Sequence, residues 1–441
     1  MIGPEAPSED LRRQLGLVDA AAIYVGIVLG SGIFVAPAAI AGIAPGAAAA
    51  AAFWLVGGGI AACGAFCYAE CGARLPRTGG FYVFYREAFG APLAFVGGWA
   101  AVLVTYPASI AAIALVLARY FGEVIPLRGM EVPVAASALV AAGALNALGV
   151  RVGAGAQRAL TGVKLAALAL LCAAALLAGT PAPPSPSPIG LGVRPAALLA
   201  ALVVMLWTYD GWSDVTLVSG ELKRPGRDLG RAVLLGTAVL AVLYVLVQLS
   251  VGALLDPAHA SSSERVVAEA VEAGIGARAG RLVAVLVVVC TFGSINGTVL
   301  TASRLGFAMA RDGRFPSWFG RVHPRFNTPA RSVAGLVVAA LLYVVSAGFG
   351  NLLAFFSFSV WIFYGLTAAA LVVLRRRGVG EPVSWRAPLG PLPPAVVLVT
   401  SLGMTASLMY DDPTRSLAGL GLLLLGFPAY ALWKRYGTGR L

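Results

Sequence analysis

Apolar runs of about twenty residues, divided by short polar breaks, recur along this chain from near residue 17 to near residue 433, and about 20 apolar residues is what a helix needs to cross a bilayer. A transmembrane β-barrel instead needs segments of roughly 10 residues that alternate apolar and polar. These Ala- and Leu-rich runs do not alternate. Of the 441 residues, 59% are hydrophobic and only 12% are charged, against about a quarter charged in a soluble domain. Too little polar surface remains to cover a water-soluble globule, so the expected fold class is an all-α integral membrane protein. Twelve spans are expected, near 17–43, 47–72, 93–121, 132–150, 159–179, 196–220, 232–255, 281–310, 332–348, 351–374, 392–410 and 415–433. The Pro-rich stretch PAPPSPSP at 181–188 reads as a loop outside the bilayer, because its prolines cannot continue a helix. No cleavable signal peptide is apparent, and no room is left between spans for a soluble domain.

A net charge of +12 would suggest nucleic acid in a soluble protein, but here the side of the membrane matters first. With the N-terminus inside, 24 of the 32 Lys and Arg residues fall on inner segments and 7 on outer ones, Lys164 belonging to neither. That asymmetry predicts both termini in the cytoplasm, and no nucleic-acid partner is expected. Cys63, Cys67 and Cys71 share one helix face. With no His beside them they read as small buried hydrophobes rather than metal ligands. No metal and no cofactor is expected. The only two histidines, His259 and His323, lie in loops, so an enzyme is not expected either.

Two spans carry breaks. The first has Gly30, Ser31 and Gly32 near its middle and Pro37 shortly after, residues that weaken a helix by backbone freedom and by a missing donor. Such a stretch survives in a membrane only where it lines a polar cavity or is buried in protein; a tolerated kink or a small-residue packing face is the plainer alternative. The sixth span holds Asp210, Gly211, Ser213 and Asp214 at its centre, and carboxylates there must face protein or water. Span one runs outward and span six inward, so two units of five spans would be inverted relative to each other. Interrupted spans at matching positions of two halves point to a secondary transporter's binding site. The half-helix beginning near Ser31, Gly32 and Ile33 would offer free N–H groups to a carboxylate. Half-helices ending near Val28 and Trp207 would offer free carbonyls to an ammonium.

Four stretches carry a resemblance: GSGIF at 30–34, CYAECGARLPRTGGFYVFYREAFG at 67–90, WTYDGWSDV with GELKRP at 207–225, and NGTVLTASRLGFAMARDGRFP at 296–316. In this order, and over nearly the whole chain, the sequence resembles the amino acid–polyamine–organocation superfamily, and within it the L-amino acid transporter branch with its bacterial exchangers. The resemblance implies a LeuT-like fold of 12 transmembrane helices, with spans one and six unwound. Its parts would be a cytoplasmic segment 1–16, a five-helix repeat 17–179, an inverted repeat 196–374, two added helices in 391–433 and a cytoplasmic tail 434–441. It also implies that Val28, Ser31, Gly32 and Ile33, with Trp207, Thr208 and Asp210, hold the substrate head group, with Trp207 as a gate. The plainer reading of Trp207 is a packed or interfacial aromatic.

Lys164, the one mid-membrane cation, costs at least ~2.5 kcal/mol at a helix centre. It either snorkels to the inner interface or, as the resemblance implies, sits against span one in place of a sodium ion. Asp210 is expected first to cap a half-helix starting at Gly211, and otherwise to titrate with transport or to read a substrate side chain. Glu221, beside Lys223 and Arg224, reads as part of a cytoplasmic salt-bridge gate or as a solvated helix end. Asn296 reads as packing glue or as a hydrogen-bonding group near the site. The small residues around both breaks suggest a compact pocket for small or medium neutral L-amino acids, and the resemblance implies that they are exchanged without sodium across a cell membrane. The alternatives are proton-coupled uptake, or transport of cationic or other polar amino acids or amines. Residues 119–132 contain no cysteine, so a disulfide-linked ancillary subunit of the kind the branch's animal members carry is not expected.

Overall fold

The computed structural model describes residues 11–44, 46–126, 129–178, 195–346, 349–382 and 385–436. The Pro-rich loop 181–188 and the chain ends 1–10 and 437–441 lie outside these residues. Among the described residues the secondary structure is helical, with one isolated parallel bridge between Leu15 and Leu222.

Helix α1, Leu17–Val28, stops early and is followed by a 3-10 turn, Gly32–Phe34, and the short α2, Ala36–Ala41. Next come α3, Ala47–Arg74, and the amphipathic α4, Phe81–Phe89. Helix α5, Ala91–Ala100, runs through a π-helical turn, Ala101–Thr105, into α6, Tyr106–Val124. Pro107 lies in the first turn of α6, where it has no N–H to return to the preceding turn, and a widened turn absorbs the loss. Helices α7, Glu131–Ala147, and α8, Val150–Ala178, meet at Gly149. Helix α9, Pro195–Thr208, is interrupted before a 3-10 helix, Asp214–Glu221, and α10, Pro225–Leu254, follows. Two short helices, α11, Pro257–Ser262, and α12, Val266–Ile275, lead into α13, Ala279–Arg311. The chain ends through α14, Ala330–Ser346, α15, Phe349–Arg377, α16, Leu392–Asp411, α17, Pro413–Leu424, and α18, Gly426–Tyr436.

Eight helical stretches among the described residues are long and apolar enough to cross a membrane, and four more apolar helices are shorter. A 28-residue helix such as α3 is about 42 Å long at ~1.5 Å per residue. Helix α13 is the most enclosed of the long ones. It packs against α1, α6, α7, α8 and α14, while α3 packs along α10. That close approach uses glycine: a Cβ on Gly72 would come within 2.9 Å of Leu229 Cδ1, and one on Gly58 within 3.3 Å of Ala241 Cβ. Small residues of this kind let helices pack where lipid supplies no hydrophobic drive. Leu170, Leu177, Val242 and Leu342 stay exposed, as a lipid-facing surface requires.

Helix starts differ from the sequence expectation at two places. The fifth and seventh apolar runs were expected from 159 and 232, whereas α8 begins at Val150 and α10 at Pro225. Hydropathy marks where apolar side chains begin, but backbone hydrogen bonding starts a turn or two earlier, through residues such as Arg151 and Arg227. The last run, expected as one span, divides at Leu425 into α17 and α18. Pro428 supplies no N–H for the turn that would join them.

Two ties brace one end of the bundle. Glu70, fully buried near the end of α3, accepts from Arg74 Nε at 3.0 Å, from Arg375 Nε at 2.9 Å and from the Ala387 N–H at 2.8 Å. The segment before α1 pairs with the chain after the 3-10 helix. The Gln14 and Leu15 N–H groups donate to the Glu221 carbonyl at 2.9 and 3.0 Å, and the Lys223 N–H donates to the Leu15 carbonyl at 2.9 Å.

Candidate functional site

The two interrupted helices lie against each other. A Cβ on Gly32 would stand 3.0 Å from Thr208 Oγ1, and one on Gly211 would stand 2.8 Å from Ile27 Cγ2. Gly211 also has φ +112°, a conformation that residues with a Cβ rarely adopt. Glycine at both positions is what lets the two breaks touch.

The break in α1 leaves polar groups uneven. Gly30 N–H turns back to the Val28 carbonyl at 2.8 Å, and Phe34 N–H to the Ser31 carbonyl at 3.1 Å. Among the described residues, the N–H groups of Ser31, Gly32 and Ile33 have no acceptor. The carbonyls before the break are held. Lys164 Nζ donates to the Gly26 carbonyl at 2.7 Å and to the Leu29 carbonyl at 3.0 Å. Ser294 Oγ donates to the Ile27 carbonyl at 3.0 Å. The Tyr244 hydroxyl lies 3.3 Å from the Val28 carbonyl and 3.1 Å from that of Thr208, so one side chain of α10 touches the ends of both broken helices. Each carbonyl keeps a second lone pair for another donor.

A cavity with an empty volume of about 1050 Å3 opens at this junction. Val28, Ser31, Gly32, Trp207, Thr208 and Asp210 all line it, whereas Ile33 does not. Ile33 is buried, so of this residue only the backbone has a part to play. Tyr106, Ser109, Asp214, Phe363 and Tyr364 complete walls supplied by α6, α15 and the segment after α9. None of these except Asp214 had been singled out from the sequence. A tyrosine in an apolar run needs a partner for its hydroxyl, and that signal was available for Tyr106, Tyr244 and Tyr364.

The other expected residues fall outside the cavity. Lys164 is fully buried and bound to α1, which excludes snorkelling to the interface. Asn296 is also buried away from the cavity: its Nδ2 donates to Gln157 Oε1 at 2.8 Å, and its Oδ1 accepts from Asn146 Nδ2 at 3.0 Å. That pattern is helix-to-helix glue. Glu221 is not a solvated helix end. Its carboxylate meets Arg304 Nε at 2.7 Å and Nη2 at 3.1 Å, both side chains being at most 1% exposed.

Asp210 departs from its expected role as a cap. The chain past the break resumes helical form only at Asp214, with Ser213 in the N-cap position and no side-chain cap. Asp210 lies too far upstream, and its Oδ1 instead accepts a hydrogen bond from the Tyr364 hydroxyl. Cys67 and Cys71 are buried and Cys63 is partly so, all with free thiols. No metal-binding cluster is present among the described residues.

A helical membrane protein with a cavity between two interrupted helices has the architecture of a secondary transporter. The chain belongs to the amino acid permease family, whose model matches residues 15–419. It is 31% identical to the b(0,+)-type amino acid transporter 1 of Oryctolagus cuniculus, over 86% of this chain and 80% of that protein. It is 29% identical to the serine/threonine exchanger SteT of Bacillus subtilis, over 96% of this chain and 98% of SteT. It is 30% identical to the large neutral amino acids transporter small subunit 2 of Rattus norvegicus, over 96% and 81% of the two chains.

Proposed function

We propose that the protein exchanges L-amino acids, small and medium neutral ones among them, across a cell membrane by alternating access and without sodium. The observation that carries this reading is the row of unpartnered N–H groups at Ser31, Gly32 and Ile33 beside the end of α9. These donors and the positive end of a half-helix suit the α-carboxylate. The Val28 and Thr208 carbonyls and the Asp210 carboxylate suit the α-ammonium. Trp207 would close over the bound substrate. Lys164 would link occupancy to the inner half of α1, supplying at the Gly26 and Leu29 carbonyls the positive charge that a sodium ion would otherwise bring. The Glu221–Arg304 pair would latch the cytoplasmic side, and Asn296 would hold α13 to α7 and α8.

This reading takes the eight long and four shorter apolar helices as twelve spans with both termini cytoplasmic. A LeuT-like pair of inverted units, 17–179 and 196–374, would be followed by two spans in 391–433. The packing of α3 on α10, and of α6 on α13, supports it, because it matches the second span of one unit with the second of the other, and the third with the third. Carriage of the substrate head group by one chain alone needs no disulfide-linked subunit.

The test is uptake of labelled L-alanine into proteoliposomes. Preloading the vesicles with an unlabelled neutral L-amino acid is expected to accelerate uptake, and replacing sodium by choline to leave the rate unchanged. Equal uptake by empty vesicles would overturn exchange, and a sodium requirement would overturn the role given to Lys164.

A further inference from the structure

A second cavity, a groove with an empty volume of about 370 Å3, lies between the π-helical turn before α6, α13, α14 and a 3-10 helix, Ser317–Gly320. Val102, Leu103, Phe315, Phe319, Leu336 and Ala339 form much of its wall. The hydroxyls that line it are already bonded. Ser332 Oγ donates to the Ser303 carbonyl at 2.5 Å, and Ser303 Oγ donates to the Leu300 carbonyl at 3.2 Å and accepts from Arg304 Nη1. The Tyr106 hydroxyl donates to Asp214 Oδ1 at 3.0 Å. Such a groove suits hydrocarbon better than a polar solute, whose own polar groups would go unpaired. Tyr106 also lines the cavity at the helix breaks, so whatever fills the groove backs one wall of that cavity.

The groove borders a lipid-facing surface with positive charge at one end. Arg331, Val338, Leu342 and Val345 are exposed and share one face of α14, by their helical spacing, and Ala339 lies beside that face. Trp318, 40% exposed, packs on Phe319 with ring centroids 4.0 Å apart, as an aromatic at a membrane–water interface does. Residues 313–331 hold four arginines and no Asp or Glu. Arg321 directly follows the 3-10 helix that carries Phe319, and Arg331 directly precedes Ser332, so two elements of the groove each bear an exposed arginine. Among the described residues neither arginine meets an acidic side chain. We infer that the groove binds an anionic phospholipid of the leaflet on that side, with one acyl chain along α14 and the phosphate at Arg321 and Arg331. Guanidinium groups match the geometry of phosphate oxygens, and basic side chains next to a membrane attract anionic headgroups. The inference goes beyond the transport reading and needs only the membrane setting.

Dioleoylphosphatidylglycerol and dioleoylphosphatidylcholine provide the test, because they share acyl chains and differ in headgroup charge. In melting of the delipidated protein in detergent, the anionic lipid is expected to reach half-maximal stabilisation at roughly one-tenth the concentration of the zwitterionic one or less, the order that two arginines beside a membrane surface supply. Arg321→Gln combined with Arg331→Gln is expected to bring that ratio close to one. Arg231→Gln, which removes an exposed arginine from α10, is expected to leave it unchanged. Ala339→Phe is expected to fill the groove and weaken stabilisation by both lipids. Glycerol phosphate, which has the phosphate without the chains, is expected not to stabilise. Equal potency of the two lipids on the unmodified protein would overturn the inference, as would a ratio that survives the paired arginine variant or falls as far in Arg231→Gln. Stabilisation by glycerol phosphate equal to that by the lipid would assign the arginines to a free phosphate instead and overturn it too. Undiminished stabilisation of Ala339→Phe would remove the acyl chain from the groove. Should Ala339→Phe fail to fold, the surface arginine variants still decide, and none of these readouts depends on transport.

Discussion

Arg304→Met is expected to yield little folded protein. The substitution keeps an unbranched side chain of similar reach but strands Glu221, a carboxylate no more than 1% exposed, without its bidentate partner. Removing one member of a buried ion pair costs about 3–5 kcal/mol, a large share of the roughly 5–15 kcal/mol by which proteins are stable. Arg304 Nη1 also donates to the Leu300 carbonyl at 2.6 Å and to Ser303 Oγ at 3.1 Å, so its loss frees further acceptors. Glu221→Gln is expected to be nearly as damaging, because it leaves the guanidinium buried and charged. The double variant Arg304→Met with Glu221→Met should recover most of the loss, since apolar replacement of both partners of a buried pair is often neutral. Melting of the detergent-solubilised protein across this cycle is the check. Additive losses in the double variant would mean that the two side chains do not act as a pair.

Lys164→Met is expected to leave a folded protein that exchanges at least about a hundredfold more slowly. Each hydrogen bond to a charged group contributes about 1.5–3 kcal/mol, and this ammonium makes two, to the Gly26 and Leu29 carbonyls. Without them the end of α1 keeps Ser294 Oγ, near the Gly26, Ile27 and Leu29 carbonyls, and Tyr244 on Val28. The inner half of α1 would stay tied to α8 through Thr161 on the Ala22 carbonyl and Arg158 on Asp19, but its end would lose the two bonds that set the geometry of the break. Elution as a monodisperse species and counterflow of labelled L-alanine separate the effects of folding and function. Counterflow equal to that of the unmodified protein would remove Lys164 from the transport cycle.

The first effect depends on a pairing that the sequence could not make, whereas the resemblance already set Lys164 against span one. Glu221 and Arg304 lie 83 positions apart, and nothing in the run around Glu221 selects Arg304 over the nearer Lys223 or Arg224. Local chemistry was more legible. Gly30, Ser31 and Gly32 marked where α1 stops, and the Asp–Gly pair at 210–211 marked where α9 stops, since helix-weakening residues act through their own backbone. The expected ends at Val28 and Trp207 compare with observed ends at Val28 and Thr208. The role of Asp210 was not legible, because it turns on Tyr364 from a helix 154 residues away. A local cap was the nearest available partner, and the tertiary one took the carboxylate instead. The tyrosines of α6, α10 and α15 went unnoticed for the same reason. Within an apolar run a tyrosine signals that its hydroxyl needs a partner, and only the packed structure shows which acceptor it has found.

The central claim is that bare backbone groups at two adjoining helix breaks grip both ends of an amino acid head group. Trans-stimulation measures it most directly: labelled L-alanine uptake into proteoliposomes preloaded with L-alanine, with propionate, which lacks the ammonium, or with ethylamine, which lacks the carboxylate. L-Alanine alone is expected to accelerate uptake. Acceleration by propionate or ethylamine equal to that by L-alanine would contradict the account.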